Sequence, residues 1–463
     1  MDGIKKFITN LCRLILAVTF IFSGYVKAVD PLGTQYKIQD YLEALSLQGY
    51  VLDWVTLGTS VGLSALEFSL GIFMLFAICR RRNSRLVLVF MLVMTLISLW
   101  LVVANPIKDC GCFGDAVKLT NAETFGKNIV LLACAVVVAI YPLRMVRFIS
   151  KSNQWIVINF TVVYILATSA VSIYRLPWFD FRPYHVGANI LKGMEMPPGA
   201  QAPQFETTFI LQKNGVRKEF SLDNYPDSTW QFVDSKTVKT RDGYVPPIHD
   251  FSIQTAGGED ITQQVLTNKG YTFLLVAPHL ELANETNFGD IDQIYEYAQA
   301  YHVPFYCLTA SNEQAISHWE DITGAEYPFC TTDETTLKTI VRSNPGLVLI
   351  KNGTVINKWS HNELPQTEEL TAPLAELSIG QMPANSMAGK ITKIFLWFIL
   401  PLILLTLADR LWSWSKWVRA KEQRIKRDIP TFKKEKENEK ENCCRQLENE
   451  HEPAGRRGSG QGD

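Results

Sequence analysis

Residues 86–104 read LVLVFMLVMTLISLWLVVA, nineteen consecutive positions without a charged side chain. A run of this kind is what a membrane-spanning helix needs, because backbone N–H and C=O groups find no water in hydrocarbon and must pair within the segment. Outward from it, similar runs occupy about 8–27, 55–78, 128–146 and 155–175, and a sixth, about 390–411, stands alone after a long polar stretch. The pattern predicts a polytopic α-helical membrane bundle of six transmembrane helices. Arg13 interrupts the first run, so a cleaved signal peptide competes with a retained span there. No clean small-x-small site follows it, and four more spans come next.

The 463 residues allow two to three domains. A net charge of −1 makes no case for nucleic-acid binding. Nine cysteines are too scattered for a disulfide scaffold, and no two pairs have zinc-ligand spacing, so no metal site is predicted. The lysines and arginines are segregated: Lys5, Lys6 and Arg13 mark the first end, and Arg80, Arg81, Arg82 and Arg85 crowd the loop after span two. Arg144, Arg147 and Lys151 crowd the loop after span four, and WSWSKWVRAKEQRIKR follows span six with Trp412, Trp414 and Trp417 at the interface. The positive-inside rule then places both termini in the cytoplasm of a multi-pass cytoplasmic (inner) membrane protein. The loops at 28–53 and 105–127 and all of 176–389 fall on the far side. The tail from about 428 is Lys/Glu-rich and is expected to be disordered.

Between 205 and 365 the pattern changes. TFLLVAP (272–278) and VPFYCLTA (303–310) suit buried parallel strands, with helical sequence about 288–301 between them. A helix, a strand and a helix follow, and then a β-hairpin turning at Asn352-Gly353. The order is that of an α/β domain. FETTFILQKNGVRKEFSLDNYPDSTWQFVDSKT (205–237) reads as an added N-terminal β-hairpin with a turn at Asn214-Gly215. SNPGLVLIKNGTVINKW (343–359) resembles the C-terminal half of thioredoxin-like proteins of the TlpA and peroxiredoxin group, and PPIHDFSIQTAGGEDITQQVL (246–266) resembles their entry. That resemblance implies a cis-proline before the hairpin, at Pro345. It also implies W-C-x-x-C after the first core strand, where this chain has APHLELANE (277–285). The domain is therefore expected to be a degenerate thioredoxin-like fold that binds or positions a partner. Cys307 and Cys330, on other strands, are secondary thiols, and a buried Cys is commonly a small hydrophobe.

The thiols that stand out are Cys110 and Cys112 in CGCFG, in the loop after span three. A disulfide closed over one residue is strained, and strained disulfides are the more oxidising ones. Gly111 and Gly114 permit the backbone angles such a ring needs. Two further residues support the pair. Glu67 lies mid-span, where an acidic side chain by default marks a functional or paired site. Lys27 lies nearer the boundary, so a direct pair with Glu67 calls for tilt and snorkelling; beside the C-x-C loop it would favour a thiolate, which Asp109 and Asp115 would oppose. FSGYVK (22–27), ALEFSLG (65–71) and NPIKDCGCFG (105–114) resemble the DoxX-like superfamily, in its methylamine utilisation MauE branch, over about 8–147. That resemblance implies a role in disulfide formation or redox maturation of an exported partner.

The reading is a polytopic α-helical membrane bundle (six transmembrane helices) plus an α/β thioredoxin-like domain. Its parts are a bundle at 1–177, a linker at 178–204, the α/β domain at 205–365, a linker at 366–389, the sixth helix at 390–411 and a tail at 412–463. The function expected is a membrane thiol–disulfide redox protein or accessory with Cys110 and Cys112 as the exchanging pair. Its partners would be the lipid bilayer and an exported protein client or membrane redox partner, with a quinone as one candidate electron carrier. A non-enzymatic membrane-anchored assembly protein and a subunit of a sulfur-compound:quinone oxidoreductase are the competing readings. An alkaline-phosphatase reporter fused after residue 200 is expected to be active and one fused after residue 420 inactive; the reverse pattern would overturn the orientation.

Overall fold

The computed structural model of the protein describes every residue except 1, 48, 108, 203, 214–215, 222–225, 227–229, 242, 384–386 and 450–463. Six helices among the described residues are long and apolar enough to cross a membrane, five in the first 174 residues and one near the C-terminus. The protein is thus a multi-pass membrane bundle carrying a separate α/β domain.

Helix α1 (Asp2–Val29) runs into α2 (Pro31–Ala44), which Pro31 starts and Asp30 caps through Gly33 N. Three spans follow: α3 (Asp53–Phe76), α4 (Arg80–Ala104) and α5 (Asn121–Ile140). The fourth run was expected at 128–146. It begins earlier because Thr120 and Glu123 form a capping box, and it ends before Pro142, which opens a 3-10 turn. Helix α6 (Gln154–Tyr174) is the fifth span. Helices α1 and α3 touch backbone to backbone: a Cβ on Gly24 would fall 2.3 Å from Phe68 N, and one on Gly71 would fall 2.7 Å from Ile21 N. Small residues at such a crossing let helices approach where lipid supplies no hydrophobic drive between them. Asn128 ties α5 to α4 by donating to Ser98 Oγ and Met94 O.

The α/β domain follows α7 (Ile190–Met194). Its first part is a three-stranded antiparallel sheet in the order β2-β1-β3, from β1 (Gln204–Lys213), β2 (Val216–Ser221) and β3 (Gln231–Arg241). The hairpin expected there thus gains a third strand, β3 pairing along the other edge of β1; the Asn214-Gly215 turn lies outside the described residues. Then come β4 (Gln254–Thr255), α8 (Thr262–Leu266), β5 (Tyr271–Ala277), α9 (Phe288–Ala300) and β6 (Phe305–Thr309). The remainder is α10 (Glu313–Thr323), β7 (Phe329–Thr331), α11 (Glu334–Ile340), β8 (Gly346–Lys351) and β9 (Thr354–Ser360). The main sheet has the order β4-β7-β6-β5-β8-β9. Strands β5, β6 and β7 are parallel, and β8 runs antiparallel beside β5. At the β8–β9 turn Asn352 and Gly353 both have positive φ, as a two-residue hairpin turn requires.

Each face of the sheet is covered. One carries Ile291, Ile294 and Trp319 from α9 and α10, and the other carries Leu337, Ile340 and Val265. The stretches expected as linkers join these cores: Tyr184 and Ile190 pack on one face, and Leu370, Leu374 and Ile379 on the other. They are short apolar runs of no clear period, so their burial is settled only by the sheet they cover.

The last span is α12 (Met387–Ile394), a π-helical turn (Phe395–Ile399) and α13 (Leu400–Asn449). The tail expected to be disordered is helical to Asn449. Lys and Glu are strong helix formers, and an apolar span already supplies the nucleus from which the helix propagates.

The two parts dock at the ends of α1 and α6. Arg342 pairs with Asp30 at 3.0 Å and with Asp115 at 3.4 Å, and its guanidinium lies 5.2 Å from the Tyr36 ring. Asp180 receives Lys358 at 2.9 Å and Arg182 at 2.7 Å, and Ser360 and Asn362 donate to Tyr174 O.

Candidate dithiol site

The α1–α3 crossing sets one floor of the site. Because the backbones touch at Gly24, Lys27 and Glu67 face each other, and Lys27 Nζ donates to Glu67 Oε1 at 2.7 Å with side chains 5% and 3% exposed. The two side chains pair directly. Ser23 Oγ, 2.7 Å from Glu67 Oε2, is also 2.7 Å from the Cys112 carbonyl oxygen. The Ser23 hydroxyl thus sits between the buried ion pair and the backbone of the C-x-C loop, with one proton to donate to either.

The loop is held from the other side by α2. Tyr41 Oη donates to Cys110 O at 3.2 Å, Lys37 pairs with Asp109 at 3.1 Å, and the Lys37 stem lies against Gly111. Gly111 has φ +66° and Gly114 +52°, values that disfavour a side chain. The Phe113 ring packs 5.4 Å from Phe22, with the Lys127 ammonium 4.2 Å over it. Both acids expected to oppose a thiolate are engaged, Asp109 by Lys37 and Asp115 by Arg342.

The two sulfurs lie 2.9 Å apart as free thiols, half-buried. The hydrogen bond from Cys112 holds Cys110 down to about 6, against burial, with the Tyr41 hydroxyl and the Lys27 and Lys127 charges adding to it. The same hydrogen bond and burial push Cys112 well above the ordinary thiol range. One thiolate beside one thiol is the arrangement thiol–disulfide exchange uses, since the thiolate is the nucleophile.

In the α/β domain the Asn344–Pro345 peptide bond is cis. Asn344 Nδ2 donates to His279 O at 2.7 Å, which sets the Pro345 loop against the 277–285 segment. His279 there contacts Glu281 at 3.2 Å and Glu334 at 2.9 Å, and the segment contains no thiol. Cys307 and Cys330 are buried on adjacent strands facing opposite layers of the core, and burial raises both thiols. They are not brought to Cys110 or Cys112. Ser23, Lys37, Tyr41, Lys127 and Arg342 complete the site. None stood out in the sequence; the one available signal was that Ser23 and Lys27 share a helix face at i, i+4.

An apolar groove of about 730 Å³ lies between α1, α3, α6 and the last span, with Val18, Ile21, Phe22 and Tyr25 along its α1 wall. At 3.6 residues per turn, Ser23 and Lys27 project from the opposite side of α1. Phe22 lines the groove and packs against Phe113 of the loop.

Residues 5–141, spanning α1 to α5, match the family model described as methylamine utilisation protein MauE. Residues 205–242, over the three-stranded sheet, match a domain of unknown function, DUF8463. Among solved structures, a chain titled "Solution structure of a putative protein disulfide isomerase from Bacteroides thetaiotaomicron" is 15% identical. The alignment covers 25% of this chain and 76% of that one, with a TM-score of 0.20. No curated protein matches the sequence.

Replacing Glu67 with Ala strands the Lys27 ammonium in the bundle and is expected to cost about 3 kcal/mol or more in detergent unfolding. The double variant Lys27→Met/Glu67→Leu recovers most of that loss, because neither charge then remains buried. For Cys110, alkylation rate against pH is expected to be half-maximal near about 6, falling as the thiolate is protonated below it. Cys112→Ala, which removes the hydrogen bond to the Cys110 sulfur, moves that midpoint upward; a midpoint near the ordinary thiol value in both proteins would contradict the site's electrostatics.

Proposed function

We propose that the protein is a membrane thiol–disulfide exchange protein acting on an exported client, with Cys110 as the attacking thiolate and Cys112 as the resolving thiol. The observation that carries this is the paired sulfurs at 2.9 Å with opposite pKa displacements. The Cys110 thiolate attacks a client disulfide, forming a Cys110–client bond and releasing the client's other sulfur, which takes up a proton. Cys112 then attacks Cys110 Sγ as its proton passes to the departing client sulfur. A Cys110–Cys112 disulfide forms and the client leaves as a dithiol, two electrons having moved from the pair to the client. Run backwards, the same steps oxidise a client dithiol.

The MauE match over the bundle supports placing the activity there rather than in the α/β domain. The charge pattern supports an extracytoplasmic site: the basic loops lie at the end of the bundle away from the α/β domain, which docks beside the C-x-C loop through Arg342 and Asp115. In this reading the α/β domain, lacking a thiol at 277–285, positions the client over the pair.

Cys112→Ser is expected to accumulate mixed disulfides through Cys110 in intact membranes, and Cys110→Ser to accumulate none. Thiol trapping of the unmodified protein across a dithiol redox series should show the pair opening and closing reversibly. If Cys110 and Cys112 never link to each other, or stay linked far below the glutathione range, the exchange reading fails and the assembly-protein reading takes its place.

A further inference from the structure

At the end of the bundle away from the α/β domain, five arginines gather at the 142–150 loop: Arg13, Arg80, Arg144, Arg147 and Arg410. Arg13 is 6% exposed, and its Nη1 donates to Val146 O at 2.6 Å. Arg80 Nη1 donates to Leu143 O and Met145 O, and Arg410 Nη2 donates to Arg147 O at 2.5 Å. These bonds use carbonyls, which cancel no charge. Among the described residues no carboxylate lies within ion-pair distance of Arg13, Arg80 or Arg147. Asp2 pairs with Arg144, and Asp409 accepts from Ser150 and Asn153. The Nε atoms of Arg13, Arg80 and Arg147 are all buried and without a partner. Arg13 is buried, Arg80 and Arg147 are half-buried and Arg410 is exposed, so this is a cationic patch whose inner donors lack a counter-charge, and an anion meeting it would offset that cost.

The apolar groove ends at Arg410, which reaches the Arg147 backbone carbonyl. Arg410 lines it, and so does Phe148, whose ring lies 5.2 Å from the Arg13 guanidinium. Along the last span its wall runs from Ile394 to Arg410, about 24 Å at 1.5 Å per residue, most of the ~30 Å hydrocarbon core. Tyr164 and Phe398, with ring centroids 4.3 Å apart, stand within that wall.

We propose that this is a binding site for one anionic glycerophospholipid, its phosphate held between Arg147 and Arg410 and an acyl chain laid in the groove. The pairing follows from chemistry: guanidinium forks match phosphate oxygens, and an apolar trough opening on a cationic end matches a chain that ends in an anion. The site is independent of the dithiol and of the exchange reading.

The test is native mass spectrometry on the full-length protein with dioleoyl phosphatidylglycerol, dioleoyl phosphatidylcholine and inorganic phosphate as separate probes. Phosphatidylglycerol is expected to bind one per chain, about tenfold or more tighter than phosphatidylcholine. Arg147→Gln/Arg410→Gln should erase that preference, while Arg147→Lys/Arg410→Lys, which keeps the charge and guards against misfolding, should retain most of it. Ile403→Trp, which fills the groove from its open side, should weaken phosphatidylglycerol alone. Equal binding of the two lipids, or indifference to Arg147→Gln/Arg410→Gln, would overturn the proposal. Tight binding of inorganic phosphate with no effect of Ile403→Trp on phosphatidylglycerol would overturn it too, by making the site one for a free anion.

Discussion

The site rests on one buried contact, the Lys27–Glu67 ion pair where α1 crosses α3. Taking both groups out of water costs several kcal/mol each, and their attraction offsets this only at hydrogen-bond distance with the remaining atoms engaged. Glu67 meets that condition through Lys27 on one oxygen and Ser23 on the other. The 2.7 Å separation exists because Gly24 and Gly71 leave nothing between the two backbones. A methyl group at either position would push the helices apart and leave two charges in the bundle without partners. The same crossing carries Ser23 to the Cys112 carbonyl, so the stability of the bundle and the seating of the dithiol loop have one origin.

In the exchange reading, the chain separates chemistry from docking around that floor. The sulfurs belong to a loop of the bundle, and the α/β domain contributes charge and shape. Arg342 is the joint: it engages Asp30 at the end of α1, Asp115 in the loop and the ring of Tyr36. His279 lies between Glu281 and Glu334 in the segment after β5, which contains no thiol. Cys307 and Cys330 are buried among apolar side chains, where a thiolate is disfavoured.

The six spans were legible because hydrocarbon imposes a local rule on every residue of a crossing segment, and the runs around 86–104 satisfy it without help from distant sequence. The main sheet was legible for a related reason: TFLLVAP and the Asn352-Gly353 turn carry their instructions within a few residues. Local rules also misled. The Lys/Glu tail has the composition of disorder, yet it continues a helix that the membrane span has already nucleated. Tyr184, Leu370 and Leu374 lie in stretches with no period, and only the sheet's two faces give them a place.

By itself, then, the sequence determined which segments enter the membrane, that an α/β domain follows them, and that Cys110-Gly111-Cys112 is the thiol pair to examine. Tertiary structure decided what those thiols are. Lys27 and Glu67 are 40 residues apart, and Cys112 and Ser23 are 89 apart. Whether such groups meet depends on helix crossings set by glycines, which no local pattern encodes. Charge–charge and hydrogen-bond energies fall away within a few ångströms, so the lowering of the Cys110 thiol by Cys112 and its neighbours was fixed only when α1, α2, α5 and the C-x-C loop came together.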